Sequence, residues 1–326
     1  MDYRALGRTG MRVSVLGLGC GGFGGIGSAP ELFGKGEDKQ TAFALMNHAW
    51  DAGINYFDTA DSYGGGASER MIGAWLKERN VRDPIISTKV FYALAEGPVD
   101  RSLSRRHIME AVDGSLRRLQ RDHIDLYVTM EPDPATPIEE TLQTMNDLMQ
   151  AGKVRHIGAS NITASQLRDS LAASDRLGVH RYQSVQNGYS LLDRAIEADV
   201  LPLAAKERIA VTPFSPAAGG LLTVKYRYPD PPPPGSRVEL RPQPYRHLMI
   251  PATFQAIDAL RATAAERGVD MSALALAWVI SHPAVTSALI GPRTVEQFRP
   301  WLEAVEIHLT TDEREAVASR MEAAVA

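Results

Sequence analysis

The chain has 326 residues, of which 44% are hydrophobic and 23% are charged, a composition typical of a globular protein with a large buried core. Its net charge of −4 includes no cluster of lysine and arginine that would form a basic surface, so we expect no nucleic-acid partner. No apolar run reaches the roughly 18 residues of a membrane span, and the first residues lack a signal peptide's apolar segment, so we expect a cytoplasmic protein without membrane contact.

Short runs rich in β-branched residues recur along the chain, and segments with apolar residues at helical spacing separate them. Two clear helical patterns are RRHIMEAVDGSLRRLQ at 105–120 and PIEETLQTMNDLMQAG at 137–152. The predicted strands, in chain order, are 13–19, 56–60, 85–90, 124–130, 154–160, 182–187, 210–215 and 287–292.

Alternation of this kind is typical of one parallel sheet, and the number of strands is the number that closes a (β/α)8 TIM barrel. We therefore predict an α/β protein with this barrel as a single domain over residues 1–326, an N-terminal β-hairpin and additional C-terminal helices. An open, doubly wound sheet is the alternative, because periodicity does not reveal strand order.

The segment 217–250 exceeds what a minimal barrel needs and contains the run PDPPPPG. Proline cannot join a sheet or the interior of a helix, so this segment is expected to lie outside both. Two interpretations stand side by side. The segment is either a mobile surface loop or a lid over a pocket.

Gly22, Gly24 and Gly27 match the literal G-x-G-x-x-G spacing directly after a predicted strand. The dinucleotide fingerprint requires that the last glycine open a helix facing the pyrophosphate. Here Pro30 and Gly34 fall where that helix would run. We interpret the match as false and expect a glycine-rich loop at the barrel mouth.

Polar residues at the predicted strand ends are candidates for catalysis, because (β/α)8 barrels carry their chemistry there. Asp58 ends the second strand, Lys89 ends the third, and Tyr63 follows in DTADSYGGG. Asp58 would keep a buried Lys89 charged, and that charge would favour the phenolate of a nearby tyrosine. The arrangement predicts a general acid; the alternative is a structural ion pair beside a surface tyrosine.

Later strand ends carry amides and hydroxyls in Ser160, Asn161, Gln186 and Ser215. After the last strand, GPRTVEQF places a turn led by Gly291 before Arg293, a pattern that suits a phosphate monoester. Each signal is weak alone. Together they predict a nicotinamide nucleotide across the barrel mouth.

With these residues in view, the chain resembles the aldo-keto reductases almost from end to end. The resemblance is carried by LGRTGMRVSVLGLG, AGINYFDTADSYGGGASERMIGAWL, IISTKV, SLRRLQRDHIDLY, PDPATPIEETLQTMNDLMQAGKVRHIGASNI, VQNGYSLLDR, TPFSP and GPRTVEQF. It implies a (β/α)8 barrel and hydride transfer from NADPH to a small molecule. It assigns Tyr63 as the acid, with Lys89 and Asp58 in support.

The same resemblance implies the cofactor contacts. It places the carboxamide contacts on Ser160, Asn161 and Gln186, the ring that stacks on the nicotinamide on Phe214, and a 2′-phosphate contact on Arg293 and Gln297. The family often has Glu and Asn near the end of this last motif. This chain has Pro300 and Trp301 there, so its adenine contacts are expected to differ.

One catalytic position departs from the family pattern. Where the family has a histidine that orients the substrate carbonyl, DLYVTMEPDP has Met130, and a thioether has no proton to donate. Three interpretations remain: a carbonyl reductase relying on Tyr63 alone, a reductase of C=C or C=N bonds, and a nucleotide-binding regulatory subunit with vestigial turnover.

Glu131 and the histidines of the chain are candidates to take the place of the missing histidine. Glu131 follows Met130, but strand alternation predicts that it points to the opposite face unless the strand has already ended. Among the histidines, His156 lies inside a predicted strand, and His247, in the proline-rich segment, is the one able to fold over the mouth.

No spacing of histidines and carboxylates predicts a metal site, and Cys20, the single cysteine, excludes an internal disulfide and an all-cysteine site. Substrate identity is expected to depend on the loops at 91–103 and 217–250. The sequence does not predict an oligomeric state.

Overall fold

A computed structural model of the chain describes residues 1–92 and 101–325. The loop at 91–103 is predicted from the sequence to contribute to substrate recognition. Its residues 93–100 lie outside the described residues. No helix in the described ranges has both the length and the apolar character needed to cross a bilayer.

The chain begins with the predicted β-hairpin, in which β1 (Tyr3–Ala5) pairs antiparallel with β2 (Arg12–Ser14). Leu6 and Val13 are fully buried in a cluster that includes Tyr56 and Ile85, the first residues of two barrel strands. The hairpin therefore closes the end of the barrel where the strands begin.

The barrel itself is a parallel sheet in which each strand pairs with its neighbours along the chain, and the last strand also pairs with the first. Its strands are β3 (Leu16–Gly19), β4 (Tyr56–Asp58), β5 (Ile85–Val90), β6 (Ile124–Thr129), β7 (Val154–Ser160), β8 (Ser184–Gln186), β9 (Ala210–Val211) and β10 (Ala288–Ile290). Parallel bridges from Val211 to Val285 and from Phe214 to Leu289 complete the ring. The predicted barrel is confirmed, and the open sheet is excluded.

Six of the eight predicted strands are longer than those observed, and a physical reason is visible for two of them. The run predicted at 13–19 is divided, because Val13 and Ser14 pair with β1 in the hairpin, whereas Leu16 to Leu18 pair with β10 in the barrel. The run predicted at 210–215 forms a strand only to Val211. Pro213 follows, and it has no amide hydrogen to give to a sheet.

Helices surround the barrel, and the two segments with the clearest helical pattern form α3 and α4 as predicted. The helices are α1 (Lys39–Asp51), α2 (Ala67–Arg79), α3 (Arg105–Leu119), α4 (Ile138–Gln150), α5 (Ala164–Leu177), α6 (Val200–Glu207), α7 (Arg237–Leu240), α8 (Pro251–Arg267), α9 (Met271–Ile280), α10 (Phe298–Glu303) and α11 (Thr311–Ala323). The last two are the predicted C-terminal additions. Every residue of α9 is buried, as expected of a helix that is apolar on all sides.

The glycine-rich loop after β3 opens no helix at its last glycine. A short 3₁₀ turn covers Pro30–Leu32, and α1 begins only at Lys39, where the Asp38 side chain accepts a hydrogen bond from the Thr41 amide. The interpretation of the glycine spacing as a false fingerprint is confirmed, because the helix that would face a pyrophosphate is absent at that point.

Candidate active site

A cavity of about 1040 Å³ opens where the barrel strands end. Its wall combines strand ends, the glycine-rich loop after β3 and the segment 217–250, so this segment lies over the cavity as the lid interpretation requires. All the site residues expected from the sequence line the cavity: Asp58, Tyr63, Lys89, Met130, Ser160, Asn161, Gln186, Phe214, Ser215, Gly291, Arg293 and Gln297.

Asp58 and Lys89 form a buried ion pair at the floor of the cavity. Lys89 Nζ lies 2.5 Å from Asp58 Oδ2, and the two side chains are 1% and 5% exposed. The pairing follows from the sheet, because Asp58 ends β4 and Lys89 lies one residue before the end of the adjacent β5. An unpaired charge at this depth would carry a large desolvation cost, which the partner offsets.

Lys89 also approaches Tyr63, which begins a 3₁₀ turn after β4. Its ammonium group lies 5.1 Å from the centre of the half-buried Tyr63 ring. Burial would lower the pKa of Lys89, but the Asp58 carboxylate and the Tyr63 hydroxyl outweigh burial and raise that pKa above its ordinary value. Since Asp58 and the Thr59 carbonyl accept two of the three ammonium hydrogens, the third remains for the Tyr63 hydroxyl.

The second oxygen of Asp58 is held by Gln186, at the end of β8. Gln186 Nε2 donates to Asp58 Oδ1 at 3.0 Å, and both side chains are buried. The sequence predicts that Gln186 contacts a carboxamide. Its amide nitrogen holds the Asp58 carboxylate, and its carbonyl oxygen is left to accept a further hydrogen bond.

Asn161 links the ends of three strands. Its side chain donates to the Met130 carbonyl at 3.0 Å, and its backbone amide donates to the Gln186 carbonyl at 3.0 Å. Asn161 adopts a φ of 55°, a left-handed conformation that asparagine tolerates better than most residues. As in Gln186, the free side-chain atom is a carbonyl oxygen, so both residues present acceptors to a ligand.

Met130 directly follows β6 and is only 6% exposed, with its thioether on the cavity wall. Its amide bonds the Val90 carbonyl at 3.0 Å, which fixes the backbone beside the end of β5. The side chain therefore contributes an apolar surface, without a hydrogen-bond donor, to the cavity that Tyr63 and Lys89 also line.

Glu131 lines the same cavity, contrary to the expectation from strand alternation. Because β6 ends at Thr129, the alternation of faces no longer governs residue 131. Glu131 Oε1 accepts a hydrogen bond from the Tyr92 hydroxyl at 3.0 Å. Burial, together with the charge of Glu131, raises the pKa of Tyr92 to about 12, so Tyr92 stays protonated as the donor.

His247 lies on the cavity wall with an exposed side chain, as its place in the proline-rich segment suggested. His156 lies within β7 and not at its end. Within residues 1–92 and 101–325, the structure brings together no group of three or more histidine, cysteine, aspartate or glutamate side chains suited to a metal ion.

Phe214 presents a half-buried ring to the cavity, between Gly188 and Leu289, to which its backbone forms bridges. Ser215 follows with a φ of 57°, and its carbonyl accepts a hydrogen bond from the Ala218 amide at 2.8 Å. This turn directs the chain from the end of β9 into the segment 217–250. An aromatic face at this position suits stacking on a planar ring.

Arg293 lies at the other end of the cavity and is already engaged on several sides. Its Nε donates to Glu37 Oε1 at 2.7 Å, and its Nη1 donates to the Gly235 carbonyl at 2.5 Å. Its backbone amide donates to Gln297 Oε1 at 2.9 Å. The arginine expected to bind a phosphate thus also joins the loop after β3 to the segment 217–250.

Three basic residues of the segment 217–250 line the cavity without having been predicted from the sequence: Lys225, Arg237 and Arg241. Burial, and then the charge of Arg293, lowers the pKa of Lys225. Neighbouring cations of this kind favour a bound anion. The one signal in the sequence was their position in a segment interpreted as a possible lid, since no periodicity marks them.

Glu37 was also missed, because it precedes α1 in a loop without a recognisable pattern. It is 7% exposed and reaches the cavity through its bond to Arg293. Burial raises the pKa of Glu37 even though Arg293 acts to lower it. A buried carboxylate beside the expected phosphate site is the least expected feature of the cavity.

The cavity fits a nicotinamide dinucleotide in size and chemistry. Its volume matches that of sites for ligands larger than a drug molecule. One end offers the acceptor oxygens of Asn161 and Gln186 beside the Phe214 ring, which suits a carboxamide on a planar ring. The other end offers cationic side chains, which suit phosphates. Pro300 and Trp301 line the cavity too.

Comparison with known proteins gives a consistent result. The model of the Aldo/keto reductase family matches residues 15–322. An uncharacterized oxidoreductase of Bacillus subtilis, YrpG, is 37% identical, over 95% of this chain and 92% of its own. A probable voltage-gated potassium channel subunit beta of Oryza sativa is 34% identical, over 100% of this chain and 97% of its own. The crystal structure of the thermostable aldo-keto reductase Tm1743 in complex with the inhibitor epalrestat superimposes with a TM-score of 0.77, at 28% identity, covering 98% of this chain and 100% of that one.

Proposed function

The chain belongs to the aldo/keto reductase family of oxidoreductases, and from this premise we propose that it reduces the carbonyl group of aldehydes or ketones with NADPH, using Tyr63 as general acid. The observation that carries the proposal is the buried pair of Asp58 and Lys89 beside the Tyr63 ring. A structural ion pair alone would not require a half-buried tyrosine on a cavity wall.

Each residue has a distinct task in this mechanism. When bound, a dihydronicotinamide would supply the hydride. Asn161 and Gln186 would hold its carboxamide through their free side-chain oxygens, and Phe214 would support the ring. Tyr63 donates its proton to the substrate oxygen, where negative charge develops. Lys89, kept charged by Asp58, stabilises the phenolate that remains.

A second candidate, reduction of a conjugated C=C or a C=N bond, is favoured by the wall that Met130 forms. A flexible thioether leaves space that an imidazole would occupy, and it offers no hydrogen bond to a carbonyl. Glu131, held by Tyr92 on the same wall, provides a negative charge that suits a protonated imine.

The third candidate, a nucleotide-binding regulatory subunit, is raised by the similarity to the rice channel subunit. Retention of Asp58, Tyr63 and Lys89 argues for turnover, because a protein that only binds nucleotide has no use for a supported acid. The deciding experiment follows NADPH oxidation by the purified protein with aldehydes, ketones, enones and imines. Turnover above a vestigial rate with any class of substrate excludes the regulatory candidate, and the preferred class selects between the other two.

Met130→His is expected to raise kcat/KM for simple aldehydes and ketones, because it restores a hydrogen-bond donor beside Tyr63. One positioned donor at a developing oxyanion is typically worth about 10²- to 10³-fold in kcat. We expect a smaller gain, because the pocket around residue 130 is not shaped to orient an imidazole ring. Steady-state rates with a matched aldehyde and enone, before and after the substitution, measure the effect.

The control for this substitution is Met130→Leu, which keeps an apolar side chain of similar size and adds no donor. It is expected to leave carbonyl reduction near the parent rate. In Met130→His, activity on enones or imines should fall as the ring fills the space. A loss of carbonyl reduction in Met130→His alone would contradict this account of the position.

NADPH is expected to bind more tightly than NADH, because Arg293 can pair with the 2′-phosphate. Arg293→Ala should weaken NADPH binding by about 1.5 to 3 kcal/mol and leave NADH nearly unchanged. Fluorescence titration of both nucleotides measures the two dissociation constants. Arg299→Ala is the control, since Arg299 lines the same cavity with a side chain that is 85% exposed. Equal losses of NADPH affinity in the two variants would mean that the positive charge of the cavity, and not a specific contact of Arg293, attracts the 2′-phosphate.

A further inference from the structure

The contact between Glu37 and Arg293 places a carboxylate at the expected phosphate site. Glu37 Oε1 lies 2.7 Å from Arg293 Nε, and the Glu37 side chain is 5% exposed while that of Arg293 is 37% exposed. A second cavity, of about 510 Å³, shares both residues with the large one. The pair therefore lies where a ligand approaching from either side meets it.

The loop after β3 holds Glu37 firmly in this position. The Glu37 amide donates to the Gly22 carbonyl at 2.8 Å, and the Glu37 carbonyl accepts from the Gly24 amide at 2.8 Å. A Cβ atom at Gly22 would lie only 2.0 Å from Glu37 Oε2, so the carboxylate occupies space that exists because residue 22 is glycine. The side chain is thus built into the loop and is not a surface group that happens to reach Arg293.

Only some of the hydrogen-bond donors of Arg293 are therefore free to bind a ligand. A guanidinium has five N–H donors, and here Nε serves Glu37 while one Nη1 hydrogen serves the Gly235 carbonyl. A phosphate monoester bound through the remaining donors carries a charge of about −1.5 to −2 at neutral pH, and it would lie beside the carboxylate of Glu37. The negative charges of the phosphate and of Glu37 would repel each other. A ribose 2′-hydroxyl at the same place could instead donate a hydrogen bond to the Glu37 carboxylate.

We propose that Glu37 determines cofactor specificity. Its carboxylate repels the 2′-phosphate of NADPH at Arg293 and accepts a hydrogen bond from the 2′-hydroxyl of NADH. Glu37 thereby reduces the difference in affinity between NADPH and NADH. This inference rests on the proposed use of a nicotinamide nucleotide. It adds a residue from the loop after β3 to the contacts at this end of the cavity.

The test compares dissociation constants of NADPH and NADH, measured by calorimetry, in the parent protein and in Glu37→Gln. Glutamine keeps an oxygen for Arg293 Nε and removes the negative charge. We expect the ratio of the NADH constant to the NADPH constant to rise at least about tenfold, equivalent to about 1.4 kcal/mol. The fragments 2′,5′-ADP and 5′-AMP should show the same change in ratio, which locates the effect at the 2′-position without any turnover.

Glu31→Gln is the matched control, because Glu31 lines the same cavity, is exposed, and loses the same charge. Its ratio should stay at the parent value. If Glu37→Gln does not fold, Glu37→Asp keeps the acid but withdraws it from Arg293 by one methylene group, and a smaller rise is expected. An unchanged or lowered ratio in the folded Glu37 variant, or an equal rise in Glu31→Gln, overturns the inference.

The outcome also separates this inference from the proposed function. A parent protein that binds neither nucleotide would overturn both. A parent protein that binds the two equally, with NADPH preferred once Glu37 is changed, would remove the expected NADPH preference and support the role of Glu37.

Discussion

Tyr63→Phe is expected to lower kcat for carbonyl substrates by about 10²- to 10⁴-fold, the usual contribution of a positioned general acid. In the proposed mechanism the hydroxyl acts on the substrate oxygen in the transition state and is not needed to hold the nucleotide, so the dissociation constant of NADPH should change little. Single-turnover oxidation of NADPH, together with a nucleotide titration of the same variant, measures both quantities.

Tyr92→Phe is the matched control for this substitution. Tyr92 lines the same cavity, but its hydroxyl donates to Glu131 and not toward Lys89. We expect its rate to stay within about tenfold of the parent, as for a residue outside proton transfer. Turnover by Tyr63→Phe near the parent value would show that another group supplies the proton.

Lys89→Met is expected to cost about 3 to 5 kcal/mol in the free energy of unfolding, because it leaves the Asp58 charge buried without its partner. Both side chains are almost completely enclosed, so Asp58 has little exposed surface through which water could compensate for the lost ammonium group. Activity should be lost as well, since Tyr63 no longer has a cation to stabilise its phenolate. Urea unfolding followed by fluorescence measures the stability.

The double variant Lys89→Met, Asp58→Asn separates the two effects. Asparagine removes the unpaired charge and keeps an oxygen for Gln186 Nε2, so much of the lost stability should return while activity does not. A single variant Lys89→Met that is as stable as the parent would contradict the view that the ion pair offsets the desolvation of Asp58.

The barrel could be predicted from the sequence because alternation of short β-branched runs with helical segments is a local signal. The meeting of Asp58 and Lys89 could also be predicted from the sequence, since residues at the ends of neighbouring parallel strands lie at one edge of the sheet. Strand lengths were less well predicted. The end of β9 depends on Pro213, whose effect the apolar run at 210–215 concealed.

The loops were not predictable in the same way. Contacts of Glu37 with Arg293 and Gly235 with Arg293 join residues that are far apart in the chain, and no periodic pattern announces them. Glu131 illustrates the opposite problem. Alternation was the correct rule for a strand, but β6 ends two residues earlier, so the rule no longer applied.

The closure of the barrel sets a condition on synthesis. β3, near the start of the chain, pairs with β4 on one side and on the other with Ala288–Ile290, near its end. While the ribosome is still adding the later helices, strands already made can pair in sequence, but the two outer edges of the growing sheet stay open. Such edges are sites of misassociation between nascent chains. The three buried residues of β10 are translated near the end of the chain. When they take their place between β9 and β3, both open edges of the sheet are paired at once.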